Sequence, residues 1–163
     1  MSGARRCDGG SRSGFTLLEL LVVIVIAGIT LGVVSLNAFP NDRQVLVDEA
    51  QRIAVLLQLA REEAILRNQP TAFEADASGY RFLVRDESGW QPLTQDDMLR
   101  QRAFKRPPVQ LSSDPPATDN GLPGTLRIPF GREPVDKPFA LTMAAGDARV
   151  IIRADGIGHF LVE

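Results

Sequence analysis

Residues 20–41 read LLVVIVIAGITLGVVSLNAFPN, 22 positions without one charged side chain. Starting the run at residue 15 and closing it at 39 gives 25 residues interrupted only by Glu19. As an α-helix rising 1.5 Å per residue, the segment is about 37 Å long, more than the roughly 30 Å of a bilayer's hydrocarbon core. A helix buried in a soluble domain keeps a polar side, and this run has none. The segment 15–39 is therefore expected to span a membrane once. Ahead of it, Arg5, Arg6 and Arg12 against Asp8 give the first 14 residues a charge of +2. The positive-inside rule leaves them in the cytoplasm, with everything after residue 39 on the far side.

Two other readings of such a start fail. A secretory signal has a shorter apolar run, and no small-x-small cleavage site follows this one before Pro40. A lipoprotein signal needs its cysteine after the run, whereas Cys7 precedes it and reads as an inert cytoplasmic thiol. With one cysteine and one histidine, His159, the chain can form neither an internal disulfide nor a Cys/His zinc site.

Glu19 breaks the apolar pattern. An acidic side chain deep in a bilayer costs about 2.5–3.5 kcal/mol, so it is usually paired and functional; near the end of a span, snorkelling to the interface is the plainer alternative. Its setting is Ser13-Gly14-Phe15-Thr16-Leu17-Leu18-Glu19-Leu20-Leu21. This string resembles the class III signal of type IV pilins and type II secretion pseudopilins: a basic leader ending in glycine, then Phe-Thr-Leu-x-Glu, then an apolar run. The resemblance implies that a prepilin peptidase cuts after Gly14 and methylates the new amine of Phe15. It also implies a filament-assembly role for Glu19, whose carboxylate would face the N-terminal ammonium of an adjacent subunit. Each charge is expensive alone in a low-dielectric core and less so together, and the pair fixes axial register. Gly28 and Gly32 make a Gly-x-x-x-Gly spacing that permits close helix approach, although small residues are common in membrane helices generally.

Beyond the run, Pro40 lacks an amide donor and is expected to kink or interrupt the helix. Leu46, Ala50, Ile53, Leu57, Ala60 and Ala64 then form an apolar stripe at helical spacing, with Asp48–Arg52 and Glu63–Arg67 as i,i+4 pairs on the polar side. The stripe suits a coiled coil or, better, a helix laid on a sheet of its own domain. Asn68-Gln69-Pro70 ends it. From there the pattern is of strands. Residues 71–75 and 80–85 flank a turn at Asp76-Ala77-Ser78-Gly79. Leu126, Ile128 and Phe130 alternate, as do Phe139, Leu141 and Met143, then Ala148, Val150 and Ile152, with a last strand at 159–162 after Gly156. Residues 95–104 suit a short helix, and 106–124, with five prolines and two glycines, read as a long loop.

The expected organisation is α+β: a leader at 1–14, a transmembrane helix at 15–39, a helical stem at 40–69 and a small antiparallel β head at 70–163. That agrees with the pilin-like pattern of a long N-terminal helix whose second half packs on a β-rich head. Leu56-Leu57-Gln58-Leu59-Ala60-Arg61-Glu62-Glu63-Ala64, Gly79-Tyr80-Arg81-Phe82, Gly89-Trp90-Gln91-Pro92-Leu93, Pro138-Phe139-Ala140-Leu141 and Asp155-Gly156-Ile157-Gly158 resemble the minor pseudopilins of the H type. Minor type IV pilins of the FimT kind share that domain type. The K type resembles the others but lacks the glutamate that Glu19 supplies, and the major pseudopilin has a smaller head. The H-type resemblance implies a structural subunit at the tip of a periplasmic pseudopilus that helps export folded proteins. Its implied partners are the other minor pseudopilins, the major pseudopilin, prepilin peptidase and the inner membrane. The FimT alternative implies pilus assembly or DNA uptake.

No catalytic constellation is legible. His159 would have to serve any Ser-His-Asp arrangement and stands in an apolar terminal strand. Asp96-Asp97 and Glu62-Glu63 read as solvated faces, and Asp114 with Asp119-Asn120 lack an EF-hand spacing for calcium. No enzyme activity, metal or cofactor is expected. Arg127, Arg132, Lys137, Arg149 and Arg153 are the cations that a nucleic-acid site would need. Loss of the first 14 residues removes three arginines and one aspartate, leaving fifteen basic and nineteen acidic side chains, a balance of −4. That balance argues against nucleic acid as a partner.

Overall fold

The computed structural model describes residues 17–37, 42–94, 96–117 and 122–163, with the side chains of 31–37 outside the description. Gly14, Phe15, Cys7, the break at Pro40 and the Asp119-Asn120 pair lie outside the described residues. The chain divides into two units, Met1–Pro40 and Asn41–Glu163.

In the first unit, helix α1 runs over Leu17–Asn37, 21 residues or about 31 Å. Every side chain over 17–30 is exposed, on all sides of the helix. Among the described residues no helix is long and apolar enough to cross a membrane. The expectation of a span therefore rests on the whole run 15–39, which extends beyond both ends of the described side chains.

The second unit opens with α2, Asp42–Leu66. All six residues of the expected stripe are buried, from Leu46 through Ala64. They face the sheets of their own domain, so the laid-on helix holds and the coiled coil does not. Glu63 and Arg67 pair as expected, 2.5 Å apart. The Asp48–Arg52 pair does not form. Arg52 reaches the buried Glu49 at 3.1 Å instead, and Asp48 accepts a hydrogen bond from Gln44 at 2.8 Å. Glu49 wins because burial leaves it in greater need of a cation than the exposed Asp48. The helix closes where the sequence said. Asn68 takes φ 52°, the amide of Gln69 donates to the Ala64 carbonyl and that of Asn68 to Ile65, the paired bonds of a Schellman stop.

Among the described residues nine strands follow: β1 Thr71–Ala75, β2 Gly79–Asp86, β3 Gly89–Pro92, β4 Arg102–Ala103, β5 Gln110–Asp114, β6 Leu126–Phe130, β7 Phe139–Ala145, β8 Ala148–Ala154 and β9 Phe160–Val162. They form two antiparallel sheets. The first has the order β3-β2-β1-β6, with β4 on the free end of β2; the second has the order β5-β7-β8-β9. Pro129 is tolerated inside β6 because β6 is an edge strand. Gly79 admits β4, since a Cβ there would collide with the Arg102 carbonyl oxygen. Two sequence expectations are corrected. Over 96–104 there is no helix but a turn, with Asp96 accepting the amides of Met98 and Leu99, followed by β4. The 106–124 segment is not all loop, because it contains β5, whose alternating exposure is that of a polar edge strand.

Helix α2 packs on β8, β9, β1 and β7. The Thr71 hydroxyl donates to the Ala60 carbonyl at 2.8 Å, tying β1 to the helix. Phe73, Tyr80, Phe82 and Phe104 form a cluster of tilted and edge-on rings in the same core, with contacting centroids 5.5–6.3 Å apart.

Candidate functional site

On α1, Glu19 occupies the first turn and is exposed. A carboxylate there is favourably placed against the positive end of the helix dipole. Gly28 has open space where a side chain would stand, and Gly32 follows four positions on along the same helix. The described side chains of α1 are uncovered.

The head carries a second arrangement, on the face of the first sheet turned away from α2. Strand β1 is buried at all five positions. Thr71, Phe73 and Ala75 point to the main core, so Ala72 and Glu74 point outward and must be covered by something else. The register supplies the cover. Arg81 on β2 and Arg127 on β6 stand directly opposite Glu74 on its two sides. Arg81 donates Nε to Oε1 at 2.7 Å, and Arg127 donates Nε to Oε2 at 2.8 Å, each with a second bond from its Nη2 to the same oxygen. The next row across the sheet is Pro92, Leu83, Ala72 and Pro129. Leu83 and Ala72 are buried without belonging to the main core. Over them reaches Trp90 of β3, with the guanidinium carbons of Arg85 and Arg127 5.9 and 5.8 Å from its ring centroid.

Glu74 is 2 % exposed. Burial alone would raise its pKa; the hydrogen bonds and charges of Arg81 and Arg127 outweigh burial and hold the carboxyl below its ordinary value. The motifs at 79–82 and 89–93 both deliver side chains to this face, Arg81 from one and Trp90 from the other. Sequence reasoning singled out both strings without seeing that they meet.

The remaining polar candidates have structural employment. Asp155 accepts the amides of Ile157, Gly158 and His159 on Oδ1, and its Oδ2 lies 2.6 Å from Nδ1 of His159. Burial would raise its pKa; the hydrogen bonds of Ile157 and His159 and the charge of His159 together outweigh it and bring the carboxyl to about 2. The pair closes the turn before β9 and has no nucleophile in its hydrogen-bond set. Glu62 accepts from Gln58, Glu63 pairs with Arg67, and the Asp97 carbonyl accepts from Arg102. Asp114 ends β5, exposed. Among the described residues no group of three or more His, Cys, Asp or Glu side chains is placed to hold a metal ion. Of the five cations, Arg127 is engaged with Glu74 on the first sheet and lines a pocket with Lys137, while Arg149 and Arg153 lie on β8 of the second sheet, where Arg153 pairs with Glu163 at 3.3 Å.

A family model described as type II transport protein GspH matches residues 49–156, which is 108 of the 163 positions. The chain belongs to the GspH family. A second model, the prokaryotic N-terminal methylation motif, matches residues 10–35 and so takes in Gly14, Phe15, Glu19 and Gly28. Type II secretion system protein H of Pseudomonas aeruginosa is 35% identical over 86 residues, 51% of this chain and 50% of that protein. Its namesake from Aeromonas hydrophila is 33% identical over 94 residues, 55% of this chain and 51% of that protein. The chain spans about half the length of these relatives. Solved structures share the fold. The minor pseudopilin EpsH of Vibrio cholerae superposes at a TM-score of 0.58 with 20% identity, over 75% of this chain and 95% of that one. The solution structure of GspH from E. coli gives 0.55 with 20% identity, over 75% and 91%.

Proposed function

We propose that this chain is a minor subunit of the periplasmic pseudopilus of a type II secretion system, placed near its tip, which helps folded proteins leave across the outer membrane. The observation that carries the reading is the coincidence on one chain of an N-terminal methylation motif over 10–35 and a GspH-type head over 49–156. The subunit works by assembly and performs no catalysis. Prepilin peptidase removes residues 1–14 on the cytoplasmic face and methylates Phe15. The segment 15–39 then holds the subunit in the inner membrane, with its head in the periplasm, until it joins the other minor pseudopilins and the major one. Glu19 supplies the carboxylate that meets the ammonium of a neighbour's Phe15, and Gly28 with Gly32 supplies a close-packing face. The deciding experiment is a pair of assays on one deletion strain. Export of folded periplasmic proteins should stop, while twitching and DNA uptake continue. The opposite outcome, intact export with lost twitching or transformation, makes the chain a type IV pilus component.

A further inference from the structure

We infer that the outward face of the first sheet, centred on Trp90 and Arg85, is a docking surface for an acidic patch on another protein subunit. The identity of that partner as a fellow filament subunit rests on the function proposed above; the surface itself rests on its own geometry. Three guanidiniums lie on this face: those of Arg81 and Arg127 on the carboxylate of Glu74, which is closed off from solvent, and that of Arg85 against the Trp90 ring. The face is therefore presented as positive on a chain whose net charge is negative. Of the acids near this face, Asp76 feels the charge of Arg81 but is taken up by the amides of Ser78 and Gly79 and by the Ser78 hydroxyl, and Asp86 in the β2–β3 turn is occupied by the Ser88 amide and hydroxyl. Arg85 meets the Trp90 ring and forms no ion pair among the described residues, so its N–H groups have no carboxylate. Because Glu74 fixes Arg81 and Arg127 by paired hydrogen bonds, and the sheet fixes Glu74, a partner meets an array already in place and little ordering cost remains. Tryptophan and arginine on a rigid scaffold are also the composition of interface hot spots.

Charge complementarity selects the occupant. An aspartate- or glutamate-bearing strand or helix end gives Arg85 the carboxylate it lacks and can share the outer N–H groups of Arg81, whose side chain is 39 % exposed. Nucleic acid fits less well. Base stacking needs an open indole face, and Trp90 already has two guanidiniums against its ring, while a chain of net charge −2 repels a phosphate backbone.

The test places a benzophenone amino acid at Pro92, exposed on this face beside Trp90, in the full-length chain and in cells that make the whole secretion apparatus. A second probe at the exposed Arg149 on the other sheet is the control. The expected result is a cross-link from position 92 to another pilin-like subunit, on a peptide containing Asp or Glu, absent from position 149. Arg85→Glu should lower its yield about tenfold, the scale of a hot-spot contact, and Arg85→Lys should keep most of it. Reversing the charge of the cross-linked acid should restore the yield of the Arg85→Glu chain. Arg85 lies outside the Glu74 cluster, so the fold should persist; should Arg85→Glu fail to accumulate, Trp90→Leu keeps an apolar cover over Leu83 and removes the ring. A yield indifferent to these changes, or cross-links only to nucleic acid or lipid, overturns the inference. If export fails in the deletion strain while the cross-link ignores Arg85, the surface falls and the proposed function stands. A charge-dependent cross-link to a type IV pilus subunit has the converse meaning.

Discussion

Arg127 on β6 holds its guanidinium carbon 5.8 Å from the ring centroid of Trp90 on β3, although β2 and β1 lie between their strands. Three strand spacings are about 14 Å, so both side chains must lie flat and reach inward over the sheet to meet. They reach over the face of the sheet turned away from α2, where Ala72 and Leu83 are buried outside the main core. The same arginine completes the Glu74 cluster, so the cover and the ion pairs are one structure.

Glu74→Gln should destabilise the head by about 2–3 kcal/mol. Removing one partner of a buried ion cluster costs roughly 3–5 kcal/mol when all its members are buried. Arg81 and Arg127 keep 39 % and 18 % of their side-chain exposure and recover some hydration, which lowers the cost. Urea unfolding followed by Trp90 fluorescence measures it, and a change below about 0.5 kcal/mol contradicts the assigned role.

Acid should weaken the head. Both Glu74 and Asp155 have folded pKa values below their ordinary ones, so each binds protons more readily when unfolded. Their contributions are complete above the ordinary carboxylate range and are lost as pH falls through the folded values, which for Asp155 means down to about 2. The midpoint of thermal unfolding should be flat from pH 7 to about 5 and fall below pH 4. Glu74→Gln should remove the part of that fall that belongs to Glu74. A stability that rises on acidification reverses the sign and contradicts both assignments.

How much of this was legible beforehand depended on the range of the contacts. The bounds of β1 and the Schellman stop before it follow from Asn68-Gln69-Pro70 and from the turn at 76–79, both local signals. The hairpin register even implies that Glu74 faces Arg81. Arg127 arrives from 53 residues away in sequence, and no local pattern announces it. Strand β3 is four residues containing Gly and Pro, and β5 is a polar edge strand among prolines, so both look like loop until their partners β2 and β7 are in place. The Asp48–Arg52 expectation failed for a related reason: spacing ranks partners on an isolated helix, whereas burial of Glu49 ranks them here. The residues proposed for processing and assembly are read from contiguous sequence, a signal that needs no fold.

A chain of residues 42–163 should be water-soluble and folded, with the far-ultraviolet signature of a mostly β domain carrying one helix. Its core lies wholly within the second unit, and the apolar run is gone. Partition of this fragment into detergent contradicts the assignment of 15–39 as the anchor.

Processing should leave an N-terminus at N-methylated Phe15. The intact mass of the membrane-extracted protein should lack residues 1–14 and carry one added methyl group, and a bulky residue at Gly14 should leave the precursor uncut. A working protein that retains its leader contradicts the pilin-like reading.

The central claim is that Glu19 joins the subunit to its neighbours and is dispensable for folding it. Glu19→Val removes the cost of placing a carboxylate in lipid, so leader removal and insertion into the inner membrane should persist. It also removes the partner for an adjacent subunit's ammonium, which costs assembly. The direct measurement is export of a folded substrate by cells whose only copy is the full-length Glu19→Val chain, with processing and cross-links between membrane segments followed in the same cells. Export and cross-linking should both fall well below wild type while the processed protein accumulates normally. Processed Glu19→Val protein that enters the filament and supports wild-type export contradicts the account and reduces Glu19 to a side chain that snorkels to the membrane surface.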